Sequence, residues 1–318
     1  MVFWYQVTNL EFPEMRFPPL SAVLMVLPLG VSAQNAEPRP IMGELDISHS
    51  DYGRSGNGLA PTVEAPEFDR FDVAARLALP FAKRGRVQFS LDRSRSDAPD
   101  TLPSGNLTDD TFRYSNSRAV QLGLVDGPAY FGAFAVAGDI EFTPVSAFDD
   151  GDFTVWGIET AWVNDRWSIG AQLGRLEVDA DDEETINDAT IISVSGAYYF
   201  NNGHTRLSAR IGLADGHQDS DDLNPDPTWS RIAGIELEHQ FKRPIIGSAR
   251  GAVYAGVDFW DTEETNTPLG NIEILNDRVF TLGVRFTFGA GSLRGRDKHM
   301  APRLPKFGPW IASTTAVD

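Results

Sequence analysis

Hydrophobic and polar residues alternate along most of this chain, and the alternation is clearest over residues 277–288. There, large apolar side chains occupy every second position, and small, polar or charged side chains occupy the positions between them. Successive side chains of a β-strand point to opposite faces, so this stretch predicts a strand with one apolar and one polar face. Arg285 lies on the polar face, and Phe288 ends the apolar one.

The same alternation recurs along the chain and predicts twelve strands in all. No helical periodicity of useful length competes with it. The least regular strands are the first and the N-terminal half of the fourth, where Asn116 and Arg118 share the parity of the apolar residues. The predicted strands cover residues 41–53, 67–82, 86–97, 112–125, 129–142, 152–163, 166–179, 190–201, 205–215, 228–242, 247–261 and 277–289.

Long and short connections between these strands alternate without exception. The short ones carry turn residues, as in Asp126-Gly127-Pro128 and Asn202-Gly203. Outer-membrane barrels combine long extracellular loops, tight periplasmic turns and an even number of strands. The pattern therefore predicts an all-β fold, a transmembrane antiparallel up-and-down β-barrel of about twelve strands over residues 41–289, with both chain termini in the periplasm.

Aromatic residues near both ends of the strands favour the same fold. Aromatic rings at lipid headgroups form two girdles around a membrane barrel. A soluble β-sandwich also has alternating strands, but it requires neither the girdles nor the rhythm of the connections. The residues near the short turns are Phe81, Tyr130, Trp162, Trp167, Phe200, Phe241 and Phe288, and those near the long connections are Phe68, Phe112, Phe142, Phe153, Trp229, Trp260 and Phe280.

The N-terminal residues predict export. A basic start at Arg16, an apolar run over residues 17–30 and the small-x-small ending Val31-Ser32-Ala33 match a signal peptide. We expect cleavage after Ala33, with Ala36 as the alternative. The resulting division is a signal peptide at 1–33, of which 1–14 suggests a misassigned start, a periplasmic linker at 34–40, the barrel at 41–289 and a basic, proline-rich periplasmic tail at 290–318.

Composition removes several classes of function. The chain has no Cys, which excludes a disulfide framework and a thiolate metal site. Its formal net charge of −18 argues against nucleic-acid binding, because a phosphate backbone requires a basic surface. We predict no cofactor and no metal site, and the expected surroundings are outer-membrane lipids and lipopolysaccharide.

The polar face of the strands is predicted to line the lumen of the barrel. A charge facing lipid at mid-bilayer costs about 2–4 kcal/mol, so charged residues should point inward. Such a lumen either selects solutes by charge and size or is closed by ion pairs between its walls. The predicted lumen-lining residues are Arg70, Arg76, Arg86, Glu159, Arg206, Arg210, Glu236, Glu238, Arg250, Asp258 and Arg285.

Acidic residues concentrate in the long connections. Carboxylate clusters could bind divalent cations and bridge to anionic lipopolysaccharide, but solvated loops of like charge account for them more simply. No complete calcium-binding loop motif is present in the sequence. The residues are Asp149, Asp150, Asp152, Asp181, Asp182, Glu183, Glu184, Asp219, Asp221, Asp222, Asp226, Asp261, Glu263 and Glu264.

A lipid hydrolase is the enzymatic alternative. His49-Ser50 lies towards the outer end of the first strand, where barrel lipases keep such residues. Adjacent strand residues point to opposite faces, so the two cannot work as a pair, and we predict that the protein is not an enzyme.

With its export signal and twelve alternating strands, the chain resembles small porin-like outer-membrane β-barrel proteins of Gram-negative bacteria. The last strand, VFTLGVRFTFG, and the closing run FGAGSLRGRDKHMAPRLP carry the resemblance most closely. It implies insertion by the outer-membrane assembly machinery and passive diffusion of solutes, and it transfers no catalytic residues. In porins the aromatic strand end is also the chain end, whereas here residues 289–318 follow Phe288.

Those following residues form a basic tail behind an acidic barrel. We weigh three roles for it: a plug against the carboxylates of the lumen, a contact with an envelope partner, or a disordered leftover. The expected function is a small passive-diffusion pore for hydrophilic solutes. The alternatives are a structural or surface-interaction barrel with a filled lumen, and the lipid hydrolase. The basic tail residues are Arg294, Arg296, Lys298, Arg303 and Lys306.

Overall fold

The protein folds into a closed barrel of twelve antiparallel strands, each paired with its neighbours in sequence. The computed structural model describes residues 40–56, 67–97, 112–142, 151–180, 185–218, 226–245, 247–266 and 271–314. The predicted signal peptide and residues 34–39 lie outside them. The strands are β1 (Met42–Gly56), β2 (Glu67–Phe81), β3 (Gly85–Ser96), β4 (Phe112–Asp126), β5 (Ala129–Phe142), β6 (Gly151–Val163), β7 (Trp167–Ala180), β8 (Asn187–Phe200), β9 (Thr205–Gln218), β10 (Asp226–Gln240), β11 (Arg250–Asn266) and β12 (Asn271–Phe288).

The predicted up-and-down barrel and its strand number are thus confirmed. The first and last strands close it: their register runs from Gly43 opposite Phe288 to Gly56 opposite Leu275. The largest boundary difference is at β12, which begins at Asn271 rather than at 277. There β11 and β12 continue their ladder to Asn266 opposite Asn271, past Asn276 and Arg278, which interrupt the apolar face of β12.

The outward faces of the strands form an apolar band. Leu282 is 52% exposed on β12, and Ile158, Phe131 and Ile211 are similarly exposed on other strands. We call the end of the barrel with the short connections the inner end and the opposite end the outer end. A strand needs about 9–11 residues to cross a bilayer, and these strands have 12 to 18. The surplus lies at the outer end, where the outward faces carry charged residues such as Arg118 and Arg231.

One aromatic girdle is present at the inner end. Its outward-facing, exposed rings are Trp162, Trp167, Phe200, Phe241 and Phe288. Tyr130 was predicted among them, but it points into the lumen and its hydroxyl donates to Glu159 at 2.7 Å.

The predicted outer girdle is largely wrong. Phe142, Phe153 and Trp260 are buried inside the barrel, and Phe68 stacks on the inward-facing Tyr52 with ring centroids 4.3 Å apart. The reason is strand parity, because position near a strand end does not decide which face a ring occupies. Phe280 and Trp229 do face outward: Trp229 lies between the buried Thr228 and Ser230, and Arg231 of the outward face packs over its ring at 5.1 Å.

The C-terminal segment, residues 289–314, lies inside the barrel. The chain turns inward at Gly289, whose φ of +81° and close approach to the Ile41 carbonyl leave no room for a Cβ. It then forms α1 (Leu293–His299), an extended stretch over 300–306, and α2 (Phe307–Ala312). Ser292 caps α1 by accepting from the Gly295 amide at 3.1 Å.

For residues 290–314 this placement replaces the predicted periplasmic position with the plug that was weighed among the roles of the tail. The segment begins beside the turns of the inner end, where Arg294 donates to the Asp165 carbonyl at 3.1 Å. It ends at the outer end, where Gln218 donates to the Thr314 carbonyl at 2.8 Å. The described part of the tail therefore runs through the lumen from one end to the other. Neither of its helices is long and apolar enough to cross a membrane.

We expect Leu282→Arg to lower the free energy of unfolding in lipid vesicles by about 2–4 kcal/mol, because it places a charge near the middle of the apolar band. Ile272→Arg, on the same face but in the outer extension of β12, should cost about 0–1 kcal/mol. Urea titration of both variants measures the difference. Equal losses would show that the band is not the lipid-facing surface.

Candidate functional site: the occupied lumen

Buried charges gather on the lumen wall towards the inner end. Arg285 is 1% exposed and forms an ion pair with Asp46 of β1. Its other two nitrogens reach Glu236 of β10 at 3.0 and 2.9 Å, and one of them is 2.9 Å from Glu238. We call this group, together with Glu44, Arg206 and the tail residues Arg296 and Asp297, the inner charged cluster. A buried charge is tolerated only when it is paired and hydrogen-bonded, and here each contacts an opposite charge.

Arg296 of α1 joins the C-terminal segment to this cluster. The side chain is fully buried and donates to both carboxylate oxygens of Glu238, at 2.7 and 3.0 Å. The same guanidinium lies 3.1 Å from Glu44 of β1. Glu238 is on β10 and Glu44 is on β1, with β11 and β12 between these two strands. One tail side chain therefore bridges β10 and β1 inside the lumen.

Two further cations of the segment contact wall carboxylates, one in the inner charged cluster and one nearer the outer end. Arg303 donates to Glu44 at 2.6 Å. Lys306 lies 2.7 Å from Asp72 of β2, whose other oxygen is 3.1 Å from Arg70. The tail cations therefore contact wall carboxylates from the inner charged cluster to Asp72, which lies nearer the outer end.

The backbone of the segment is also held by the wall. Gln88 accepts from the Ala301 amide at 3.1 Å, and Gln121 donates to the Pro302 carbonyl at 2.9 Å. Gln121 also donates to Glu159 at 2.8 Å. An extended segment has no ladder of its own, so these side chains satisfy groups that would otherwise be buried without partners.

Apolar side chains line the lumen towards the outer end. We call this region the outer chamber and define it by Tyr52, Phe134, Phe142, Phe153, Ile232 and Trp260, all buried. Helix α2 fills it: Phe307, Trp310 and Ile311 belong to the same apolar cluster and are 2–3% exposed.

Residues of the wall make specific contacts with α2 and leave space for its largest side chain. The indole nitrogen of Trp310 donates to Ser230 at 3.0 Å, and the ring passes close to Gly212, where a Cβ would lie 3.2 Å from Trp310. At the outer mouth Arg54, which is paired with Asp277 at 2.9 Å, donates to the Ser313 carbonyl at 2.9 Å.

The structure places the predicted lumen residues on the inward faces of their strands, but in different groups. Arg206, Glu236, Glu238 and Arg285 meet in the inner charged cluster, and Arg76 pairs with Glu44 at 2.8 Å. Arg210 and Asp258 form a separate pair at 2.7 Å. Arg70 packs over the Trp260 ring at 5.5 Å. Arg86 is buried on β3, Glu159 binds Tyr130, and Arg250 donates to the Lys242 carbonyl at the inner rim.

Between the segment and the wall remains a cavity of about 240 Å³. It lies beside residues 301–307 and faces the small residues Ser168, Gly170, Ser193, Ser195 and Ser208. Pockets for organic ligands usually measure about 300–1,000 Å³, so the space suits water or a very small polar solute.

The residues of the proposed hydrolase lie on opposite faces. His49 points outward, 3.6 Å from Asp69, whereas Ser50 is buried in the lumen with its hydroxyl 2.9 Å from that of Thr281. Among the residues that the structure describes, no group of three His, Asp or Glu could hold a metal ion. Asp149, Asp150, Asp181–Glu184, Asp219, Asp221 and Asp222 lie outside those residues.

Sequence reasoning missed two parts of this site. Glu44 and Asp46 alternate with apolar residues on β1, but that strand was among the least regular ones, and neither residue was identified. The aromatic lining of the outer chamber was assigned to lipid, although strand parity places Phe142 and Trp260 on the same face as inward-pointing residues. The parity of each strand was the signal that could have found both.

No family model and no curated protein match the chain. Solved structures with a similar fold include an outer membrane channel from Pseudomonas putida F1, at 13% identity and a TM-score of 0.45, over 81% of this chain and 99% of that one. The Pseudomonas putida toluene transporter TodX matches at 12% identity and a TM-score of 0.39, over 80% of this chain and 90% of that one. The KdgM porin in complex with oligogalacturonate matches at 9% identity and a TM-score of 0.38, over 76% of this chain and 99% of that one.

Arg296→Met should weaken docking of the C-terminal segment by about 3 kcal/mol, because it leaves Glu238 and Glu44 buried with one cation fewer. Amide hydrogen exchange over residues 293–314 should then become roughly a hundredfold faster. Arg294→Met is the matched control: that side chain pairs at 3.4 Å with Asp165, which is 95% exposed, and should change docking by about 0–1 kcal/mol. Equal exchange in both variants would contradict the role given to Arg296.

Proposed function

We propose that this protein is an outer-membrane channel for small hydrophilic solutes, closed by its own C-terminal segment. Passage is by passive diffusion when the segment leaves the lumen. While the segment is docked, the free space beside it is the cavity of about 240 Å³.

The observation that carries the proposal is that the wall does not fill its own lumen. Barrels of about eight strands are filled by wall side chains, whereas wider ones hold a channel or a plug. Here the wall beside the cavity carries small side chains, such as Ser168, Gly170 and Ser195. The volume is taken up by a segment that is continuous with the wall at a single point, Gly289.

The contacts of that segment suit a removable closure. Its cations meet carboxylates of the wall, and its apolar helix meets the outer chamber. Without it, the wall would present the charged residues predicted to select solutes, including Arg206, Glu236 and Arg285.

Localisation in the bacterial outer membrane follows from the apolar band and the inner aromatic girdle. We further propose export by the signal peptide at 1–33, insertion by the outer-membrane assembly machinery, contact with lipopolysaccharide, and short turns that face the periplasm. The basic tail residues Arg296, Arg303 and Lys306 are engaged by the wall, so an envelope partner would meet them when the segment is released.

A structural or surface-interaction barrel with a permanently filled lumen is the second candidate. The burial of α2 favours it: Trp310 and Ile311 are as inaccessible as the core of a soluble protein. The two candidate functions differ in whether the C-terminal segment is ever released from the lumen.

An engineered disulfide between the segment and the wall distinguishes the two candidate functions. A Cβ built at Gly170 of β7 lies 3.6 Å from the Cβ of Pro302, within the range of about 3.5–4.5 Å that disulfides require. The chain has no native Cys, so Gly170→Cys/Pro302→Cys can form one defined bridge. In planar lipid bilayers we expect conductance steps from the reduced protein and their loss on oxidation.

The control is Gly170→Cys/Pro302→Ala, whose conductance should not respond to oxidant. Arg296→Met, with its weakened docking, should open more often than the unmodified chain. A folded, heat-modifiable protein that shows no steps in either the unmodified or the Arg296→Met form would exclude the pore and leave the filled barrel.

A further inference from the structure

The outer chamber holds a helix that has the chemical character of a ligand. Helix α2 presents Phe307 and Trp310, stacked with centroids 6.3 Å apart, and Lys306 stands directly before it. The rings enter an apolar pocket while the ammonium group meets a carboxylate. These two features occur at adjacent positions of one short segment.

Each feature has its own counterpart on the wall. The ammonium of Lys306 lies 2.7 Å from Asp72 on β2. The indole of Trp310 donates to Ser230 on β10 and lies against Gly212 on β9. The counterparts belong to strands on different sides of the barrel. The segment reaches both of them, with a cation at position 306 and aromatic rings at positions 307 and 310.

The groups that receive the cation and the rings belong to the wall and not to α2. Asp72 is buried and would retain Arg70 at 3.1 Å, but it would lose the tail cation. The aromatic residues Phe134, Phe153 and Trp260 belong to β5, β6 and β11, which are strands of the closed barrel. An empty chamber would therefore expose an apolar surface beside an anion that has lost one of its two cations.

We propose that the outer chamber binds a small aromatic cation, and that α2 with Lys306 occupies the site as an internal substitute for that solute. The inference rests on the proposed function, because it concerns the same lumen and the same closing segment. It narrows the proposed hydrophilic solutes to cations that carry one aromatic ring. A solute arriving at the outer mouth would take the ring site and the Asp72 site together, and would thereby compete with α2.

The competition can be measured in the full-length protein. Ala312 of α2 is 7% exposed, and Ala312→Cys introduces the chain's one thiol. In lipid vesicles, labelling by a membrane-impermeant maleimide reports release of α2. The Arg296→Met background should accelerate labelling, which shows that the assay detects release.

Three probes share an indole ring and differ in charge: tryptamine, indole and indole-3-acetate. Tryptamine should accelerate labelling with a half-maximal concentration about tenfold below that of indole, because its ammonium replaces Lys306 on Asp72. Indole-3-acetate should be weaker than indole, since its carboxylate would face Asp72.

Asp72→Asn should remove the advantage of tryptamine over indole. The comparison of two probes within one variant cancels any change in docking of α2 itself. Asp258→Asn is the matched control on the lumen wall, because Asp258 pairs with Arg210 rather than with the segment, and it should keep the tenfold difference. Ser230→Ala should raise the half-maximal concentrations of tryptamine and indole alike, by about fivefold.

Equal half-maximal concentrations for the three probes, or no acceleration by any of them where Arg296→Met responds, would overturn the inference. That result leaves the conductance of the disulfide variant untouched, so the proposed channel could stand without it. Conversely, competition by tryptamine with no conductance would support the binding site and exclude the channel.

Discussion

The ion pairs of Arg296 tie the C-terminal segment to the barrel and decide what the lumen contains. A fully buried guanidinium is stable only when every side of it is met by an acceptor or an anion. Glu238, Glu44 and Asp297 provide this environment. Because Glu44 and Glu238 also hold Arg76, Arg303, Arg206 and Arg285, the tail and five strands share one electrostatic network.

Towards the outer end of the barrel, the interior changes from charged to apolar. The wall is charged near the inner end and aromatic near the outer end, and the segment changes in the same order, from Arg296 through Lys306 to Trp310. Arg70, packed on Trp260 and paired with Asp72, stands where the two regions meet. A match in both regions gives the segment one register in the lumen, since a shift along the axis would place cations among aromatic rings.

The barrel itself was predictable because a bilayer imposes a strict rule on sequence. Each membrane strand must alternate between lipid and lumen, so period-two alternation identified twelve strands, and long and short connections identified their order. Where that rule relaxes, prediction became less accurate. Strand β12 begins six residues early at Asn271, because backbone pairing with β11 continues past Asn276 and Arg278, which interrupt the alternation.

The sequence by itself determined the strand number, the inward face of the charged residues predicted to line the lumen, and the basic character of the tail. Tertiary structure alone decided where the tail lies and which residues meet. Glu44 and Glu238 are almost two hundred positions apart, yet both contact Arg296, and no local pattern encodes that closeness. The aromatic residues near the long connections show the same limit, since alternation gives two faces but closure of the barrel decides what each face touches. In Asp277–Phe288 alternation placed Arg285 on the polar face, and closure surrounded it with Asp46, Glu236 and Glu238.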